Sequence, residues 1–138
     1  MKKIILLVLI LALSSILFSC KSRDDRNYAL EVAKKYVQTL SDRDLDEHLK
    51  IMKDFELDRD VYNSSFFSHV KSAKFQSADI VHQTDSIIIV ELKFMLELDD
   101  NFVENGRLSR GEHEYTRYLT FKVYKDMALT EILDKLIK

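Results

Sequence analysis

From Ser86 to Leu98 the chain alternates clearly. Ile88, Val90, Leu92, Phe94, Leu96 and Leu98 fall on one face, with Glu91, Lys93 and Glu97 on the other. A strand repeats every two residues, so this run predicts a long strand with one buried face. Glu112 to Tyr124 repeats the pattern: Tyr115, Arg117, Leu119, Phe121 and Val123 lie on one face, and Glu114, Thr116, Thr120 and Lys122 opposite. Between them, Asp99 to Gly111 holds both glycines of the chain and predicts a wide hairpin loop. Phe75 to His82 alternates loosely and reads as a further strand. Lys125-Asp126 predicts a tight turn. After it, Leu129, Ile132, Leu133 and Leu136 fit helical spacing, but a turn after a strand favours a last strand ending near Leu133.

Helical periodicity comes earlier. Ala29, Val32, Ala33, Tyr36, Val37 and Leu40 share one stripe, with Glu31, Lys34, Lys35 and Gln38 opposite. Glu31 and Lys35 are spaced for an i,i+4 pair, and Asp24 or Asp25 suits the positive end of such a helix. Ser41, with Asp44 three residues on, predicts a new N-cap and a short helix burying Leu45, Leu49 and Met52. Asp58 predicts the cap of a third helix with Tyr62, Phe66, His69, Val70 and Ala73 on its stripe. Helices first and an antiparallel sheet of about four strands afterwards is an α+β plan.

The first twenty residues carry a different signal. Lys2 and Lys3 precede an apolar run from Ile4 to Phe18, then Ser19 and the only cysteine, Cys20. A basic start, an apolar run and a small residue are the marks of a secretory signal. Leu17-Phe18-Ser19-Cys20 resembles the lipobox of bacterial lipoproteins. That resemblance implies diacylglycerol on the Cys20 thiol, cleavage before it and a membrane-held, exported protein. A spanning helix needs about 20 apolar residues, and this run is shorter before it meets Lys21, Arg23, Asp24 and Asp25. The expected organisation is a signal peptide over 1–19, a lipidated tether over 20–27 and a single domain over 28–138. Extended, the tether would let the domain stand about 25 Å from the bilayer. Lys21 rather than Asp after the cysteine permits transfer to the outer membrane under the sorting habit of many two-membrane bacteria.

Charge narrows the partners. The chain carries −2, and loss of Lys2 and Lys3 with the leader makes the remainder −4. Nucleic acid needs clustered Lys and Arg and is not expected, and neither is attraction to anionic head groups. Membrane contact should come through acylated Cys20 alone. With that thiol used, no cysteine is left for disulfides, metal ligation or nucleophilic catalysis.

The order of elements resembles the cone-shaped fold called nuclear transport factor 2-like or cystatin-like. The residues that carry the resemblance are Ala29 to Val37 with Leu45 to Met52 as opening helices, and the two long strands ending in Val123-Tyr124-Lys125-Asp126. It implies a pocket between the helices and the concave sheet face, and sheet pairing of two copies as a homodimer. In such a pocket Arg117, Tyr115 and His69 are the candidate residues. Arg117 interrupts an apolar face, where a guanidinium would hold a carboxylate or phosphate. The competing reading, favoured because unpaired buried arginine is rare, has its stem packed and its head carried to water.

Other constellations are weaker. Glu47-His48 and Glu112-His113-Glu114 read as solvated surface, and His69 as a hydrogen-bonded boundary histidine. Asp79 and His82, three apart on a strand, point to opposite faces and make no acid–base pair. No histidine spacing suggests a metal, and Asp99 to Gly106 fails the calcium-loop pattern, with Val103 and Glu104 at its fifth and sixth places. Phe102 and Val103 on that loop mark either a partner contact or a fold back onto the core. No motif supports catalysis, and no cofactor is expected. The expected function is a binding module for a small apolar ligand or an envelope protein. An isomerase- or dehydratase-like enzyme using the same cavity and a purely structural surface lipoprotein are the alternatives.

Overall fold

The computed structural model describes residues 2–136, with side chains described from Lys21 onward. The leader read over 1–19 and the lipidation of Cys20 therefore lie outside the residues whose side chains are described. Three helices, α1 (Lys2–Ser41), α2 (Leu45–Ile51) and α3 (Arg59–Ser65), precede four strands. These are β1 (Val70–Gln83), β2 (Ile87–Leu98), β3 (Gly111–Lys122) and β4 (Ala128–Leu133). They form one antiparallel sheet in the order β1-β2-β3-β4. The fold is α+β. No helix among the described residues is long and apolar enough to cross a membrane.

The alternating face of β2 is the floor of the core. Ile88, Val90, Leu92, Phe94, Leu96 and Leu98 are at most 3% exposed. Full burial of each such side chain is worth roughly 1.5–3 kcal/mol. On β3 the partners Phe121, Leu119, Arg117 and Tyr115 stand opposite Ile88, Val90, Leu92 and Phe94, and so share that face. From above, α1 presses Ala29, Ala33, Val37 and Leu40 onto the sheet. The small residues at 29 and 33 let helix and sheet approach closely.

β1 explains its own loose alternation. The residues paired to the inner positions of β2 are Val70, Ala73, Phe75, Ala78, Ile80 and Gln83, a spacing of three and two in turn. Each step of three is a register shift, between Val70 and Ser72, Phe75 and Ser77, and Ile80 and His82. A bulge adds a residue, bends the strand and raises its twist, which wraps β1 towards α1. It also imitates a helical stripe. Val70 and Ala73 therefore belong to β1 and not to the third helix, which ends at Ser65. The last bulge likewise overturns the rejection of Asp79 and His82 on parity: they pair with Glu91 and Ile89 and share the outer face. Both are exposed, with no hydrogen bond between them among the described residues.

Two helix boundaries also differ. Residues 21–27 lie within α1 and are not extended. The chain has no proline, and neither glycine falls in this stretch, so nothing breaks the helix. Gln83 at the end of β1 ties this stretch down, donating to the Ser22 hydroxyl at 3.0 Å and accepting from Arg26 at 3.1 Å. At 1.5 Å per residue its seven steps advance about 10 Å, well short of an extended reach. Ser41 ends α1 and does not cap α2. Asp44 N donates to Thr39 O at 3.0 Å and Arg43 N to Leu40 O at 3.2 Å, with Arg43 at φ 57°. This is a Schellman turn made without glycine. It moves the cap to Asp44, whose carboxylate accepts from Glu47 N at 3.1 Å. Asp58 caps α3 as expected, accepting from Val61 N at 3.0 Å.

Phe102 and Val103, neighbours on the loop, part company. Phe102 is 2% exposed and folds back onto the core, while Val103 is 80% exposed. Phe102→Ala should cost about 3–5 kcal/mol of unfolding free energy, and Val103→Ser less than about 0.5 kcal/mol. Urea titration of the two variants checks this, and equal losses would contradict the placement.

Candidate functional site

A half-open cavity of about 610 Å³ lies beside the last turns of α1. Tyr36 and Leu40 of α1, Phe94 and Leu96 of β2 and Arg117 of β3 form its floor and one side. The segment from Met52 to Phe66 forms the opposite side, and the loop residues Phe102 to Leu108 close its end. The size lies within the range of about 300–1,000 Å³ usual for small-molecule sites. Aromatic and aliphatic side chains make most of the wall.

Its polar end is built around Arg117. This residue is 9% exposed overall, so the head is not carried to water. It is buried and partnered instead. Nη1 donates to Thr116 O and Nη2 to Arg107 O, both at 2.9 Å, and Nε lies 3.2 Å from Asp134 Oδ1. The guanidinium sits over the Tyr115 ring, 5.0 Å from its centroid. Arg107 grips the same carboxylate: Nε donates to Asp134 Oδ2 and Nη2 to Oδ1, each at 2.9 Å. Those bonds hold the Asp134 carboxyl below the usual carboxylate range against the opposing effect of burial, with the Arg117 charge helping. Tyr36, 8% exposed, has no hydrogen-bond partner for its hydroxyl among the described residues. Burial pushes its phenol up despite the nearby charges of Arg117 and Arg107, so it stays a neutral donor.

Of the expected pocket residues, Arg117 and His69 line this cavity. Tyr115 does not. It packs 6.1 Å from Phe94 and takes a hydrogen bond from Ser109 N at 3.0 Å, so it supports Arg117 and the loop. His69 holds Asp99 Oδ1 through Nδ1 at 2.8 Å and Ser64 O through Nε2 at 3.0 Å. Burial pushes Asp99 up, but the bonds from His69 and from Asn101 and Phe102 N–H prevail and leave its carboxyl lowered. Asp99 therefore fastens the loop. No group of three or more His, Cys, Asp or Glu suited to a metal occurs among the described residues.

Sequence reasoning placed His48 at the surface, and the structure buries it completely. Leu45, His48, Leu49 and Met52 are spaced i, i+3, i+4 and i+7, so His48 stands on the apolar stripe of α2, a signal present in the sequence. Its Nδ1 lies 2.8 Å from Thr39 Oγ1 and its Nε2 2.9 Å from the Tyr62 hydroxyl. Thr39 gives its own proton to Tyr36 O at 3.0 Å, so His48 Nδ1 carries the hydrogen and Nε2 accepts from Tyr62. This neutral network joins α1, α2 and α3, and reaches the cavity wall through Tyr62. Arg107, Tyr36 and Asp134 were also missed as site residues. Arg107 lies in the loop and Asp134 in the tail, and nothing in their spacing ties them to Arg117.

The chain matches no protein-family model, no curated protein and no solved structure.

Burial lowers the His48 pKa from 6.5 to about 4. A base with a lowered folded pKa stabilises the fold fully above its unfolded value. As pH falls from 6.5 to 4 the unfolded chain takes a proton that the folded one refuses, and stability drops. The slope reaches about 1.4 kcal/mol per pH unit, about 3 kcal/mol in all. Urea midpoints of the wild type should fall across that window and those of His48→Gln should fall less. Parallel slopes would contradict the burial of a neutral His48.

Proposed function

We propose that this chain is a lipid-anchored protein of the bacterial cell envelope whose α+β domain binds a small, mainly apolar ligand without transforming it. The half-open cavity beside α1 carries the reading: it is large enough for a small molecule, and its wall is mostly apolar side chains with a few polar groups among them. The histidine and the two arginines on that wall are engaged in holding the fold, His69 with Asp99 and Arg107 and Arg117 with Asp134, which supports binding over turnover. The lipobox resemblance at Leu17 to Cys20 supports the anchor and export. Helices followed by an antiparallel sheet, with a pocket between them, is in keeping with the nuclear transport factor 2-like resemblance.

Two measurements test the two halves. For the anchor, cells expressing the wild type should incorporate labelled palmitate into a membrane-bound chain. Cys20→Ser should lose the label and leave the membrane fraction, and a labelled Cys20→Ser protein would refute lipidation at that thiol. For the cavity, a neutral apolar fluorophore such as 1-aminoanthracene should brighten on binding the full-length chain. Leu108→Trp, which fills space at the cavity wall, should weaken that binding at least tenfold. Unchanged binding would place the apolar site elsewhere.

A further inference from the structure

We infer that the ligand is a single-chain amphiphile with one carboxylate, seated with its head at Arg107, Arg117 and Tyr36 and its chain along the aromatic wall. The inference rests on the cavity being a ligand site and names the chemistry that fits it.

Charge is the first ground. No Asp or Glu lines the cavity among the described residues. The two carboxylates nearest its polar groups stand behind the wall, Asp134 against Arg107 and Arg117, and Asp99 against His69. Both guanidinium groups touch the same oxygen, Asp134 Oδ1, at 2.9 and 3.2 Å, so they lie side by side. Two cations and one anion leave one positive charge facing a cavity of low polarity. A monoanion cancels it, whereas a phosphate dianion would overshoot.

Unused donors are the second ground. A guanidinium has five N–H groups. Arg117 spends one N–H on each of Nη1 and Nη2, which leaves one free on each, and its Nε is ion-paired with Asp134 at 3.2 Å. Arg107 has no partner for Nη1 among the described residues. Tyr36, a residue 8% exposed, adds a hydroxyl with no hydrogen-bond partner among the described residues. No buried side-chain polar atom among the described residues lacks a partner, so these spare donors are open to the cavity or to solvent, and a carboxylate oxygen accepts several at once. The rest of the wall is mainly apolar, with Phe66, Phe94 and Phe102, and suits a hydrocarbon chain, although Ser64, Ser65 and Asn105 also line it.

The test displaces 1-aminoanthracene from the full-length chain in nanodiscs of neutral phosphatidylcholine, with decanoate, decanol and decyl phosphate as competitors. Decanoate should compete best. Arg107→Gln should weaken decanoate on the order of tenfold and leave decanol unchanged. Asp134→Asn should strengthen decanoate, because the cations lose their internal partner. A gain of affinity from that substitution is not what a merely structural role would give. Both side chains are partly exposed, 56% and 36%, and melting curves of both variants are the control for folding. Decanol competing as well as decanoate, with neither substitution changing either, would overturn the carboxylate while leaving an apolar site intact. Tighter decyl phosphate would overturn the monoanion. If the fluorophore itself fails to bind, the ligand-binding reading falls, and the head-group inference with it.

Discussion

Burial of the inner row of β2 is the constraint from which the rest of this structure follows. Six large side chains on one strand must all leave water, which takes a partner strand on each side and a cover above. β3 supplies one side with a matching row, and α1 supplies the cover through small residues. β1 supplies the other side, and its three bulges bend it towards the helix. α1 runs against β1 from the Arg26–Gln83 contact to Lys34 over Phe75, and reaches β2 with Tyr36 beside Phe94. It stops at Ser41. Beyond that point the floor continues through Leu96 without a helix above it, and the segment 52–66 and the loop 102–108 stand around the gap as walls.

Arg117 is the exception in an otherwise apolar face. A buried charge must be paired and hydrogen-bonded to persist, and the chain meets that demand from three places. The carbonyl of Thr116 comes from its own strand, that of Arg107 from the hairpin loop, and the Asp134 carboxylate from just past β4. The short last strand therefore has a consequence beyond closing the sheet. Its pairing of Leu119 with Ile132 delivers Asp134 to the arginines. Loop, strand and tail are joined at one point, and that point faces the cavity.

The sequence disclosed what depends on period and hid what depends on contact. β2 and β3 were legible because two-residue alternation with one buried face has a single interpretation. The last strand was legible from the turn before it, and the cap of α3 from Asp58. β1 was half-legible: alternate steps of three and two resemble a helix stripe, which drew Val70 and Ala73 into the wrong element. The α1–α2 boundary was hidden because a Schellman turn with Arg43 in place of glycine leaves no mark in composition. At the site, Arg117 was visible as a charge in an apolar row. Its partners Arg107 and Asp134 were not, since residues ten and seventeen positions away meet it only in three dimensions. His48 stood in plain sight on an apolar stripe, but histidine beside glutamate suggests surface until Thr39 and Tyr62 are seen to satisfy both its nitrogens.

The most direct test is to extract the native protein from its own membranes in mild detergent and weigh it by native mass spectrometry with non-covalent partners retained. The expected result is a chain beginning at acylated Cys20 and carrying one extra mass, released on collision as a small amphiphile. An acylated chain with no added mass would contradict the ligand-binding reading and point to a protein-binding or structural role. An intact leader with an unmodified Cys20 would contradict the anchor.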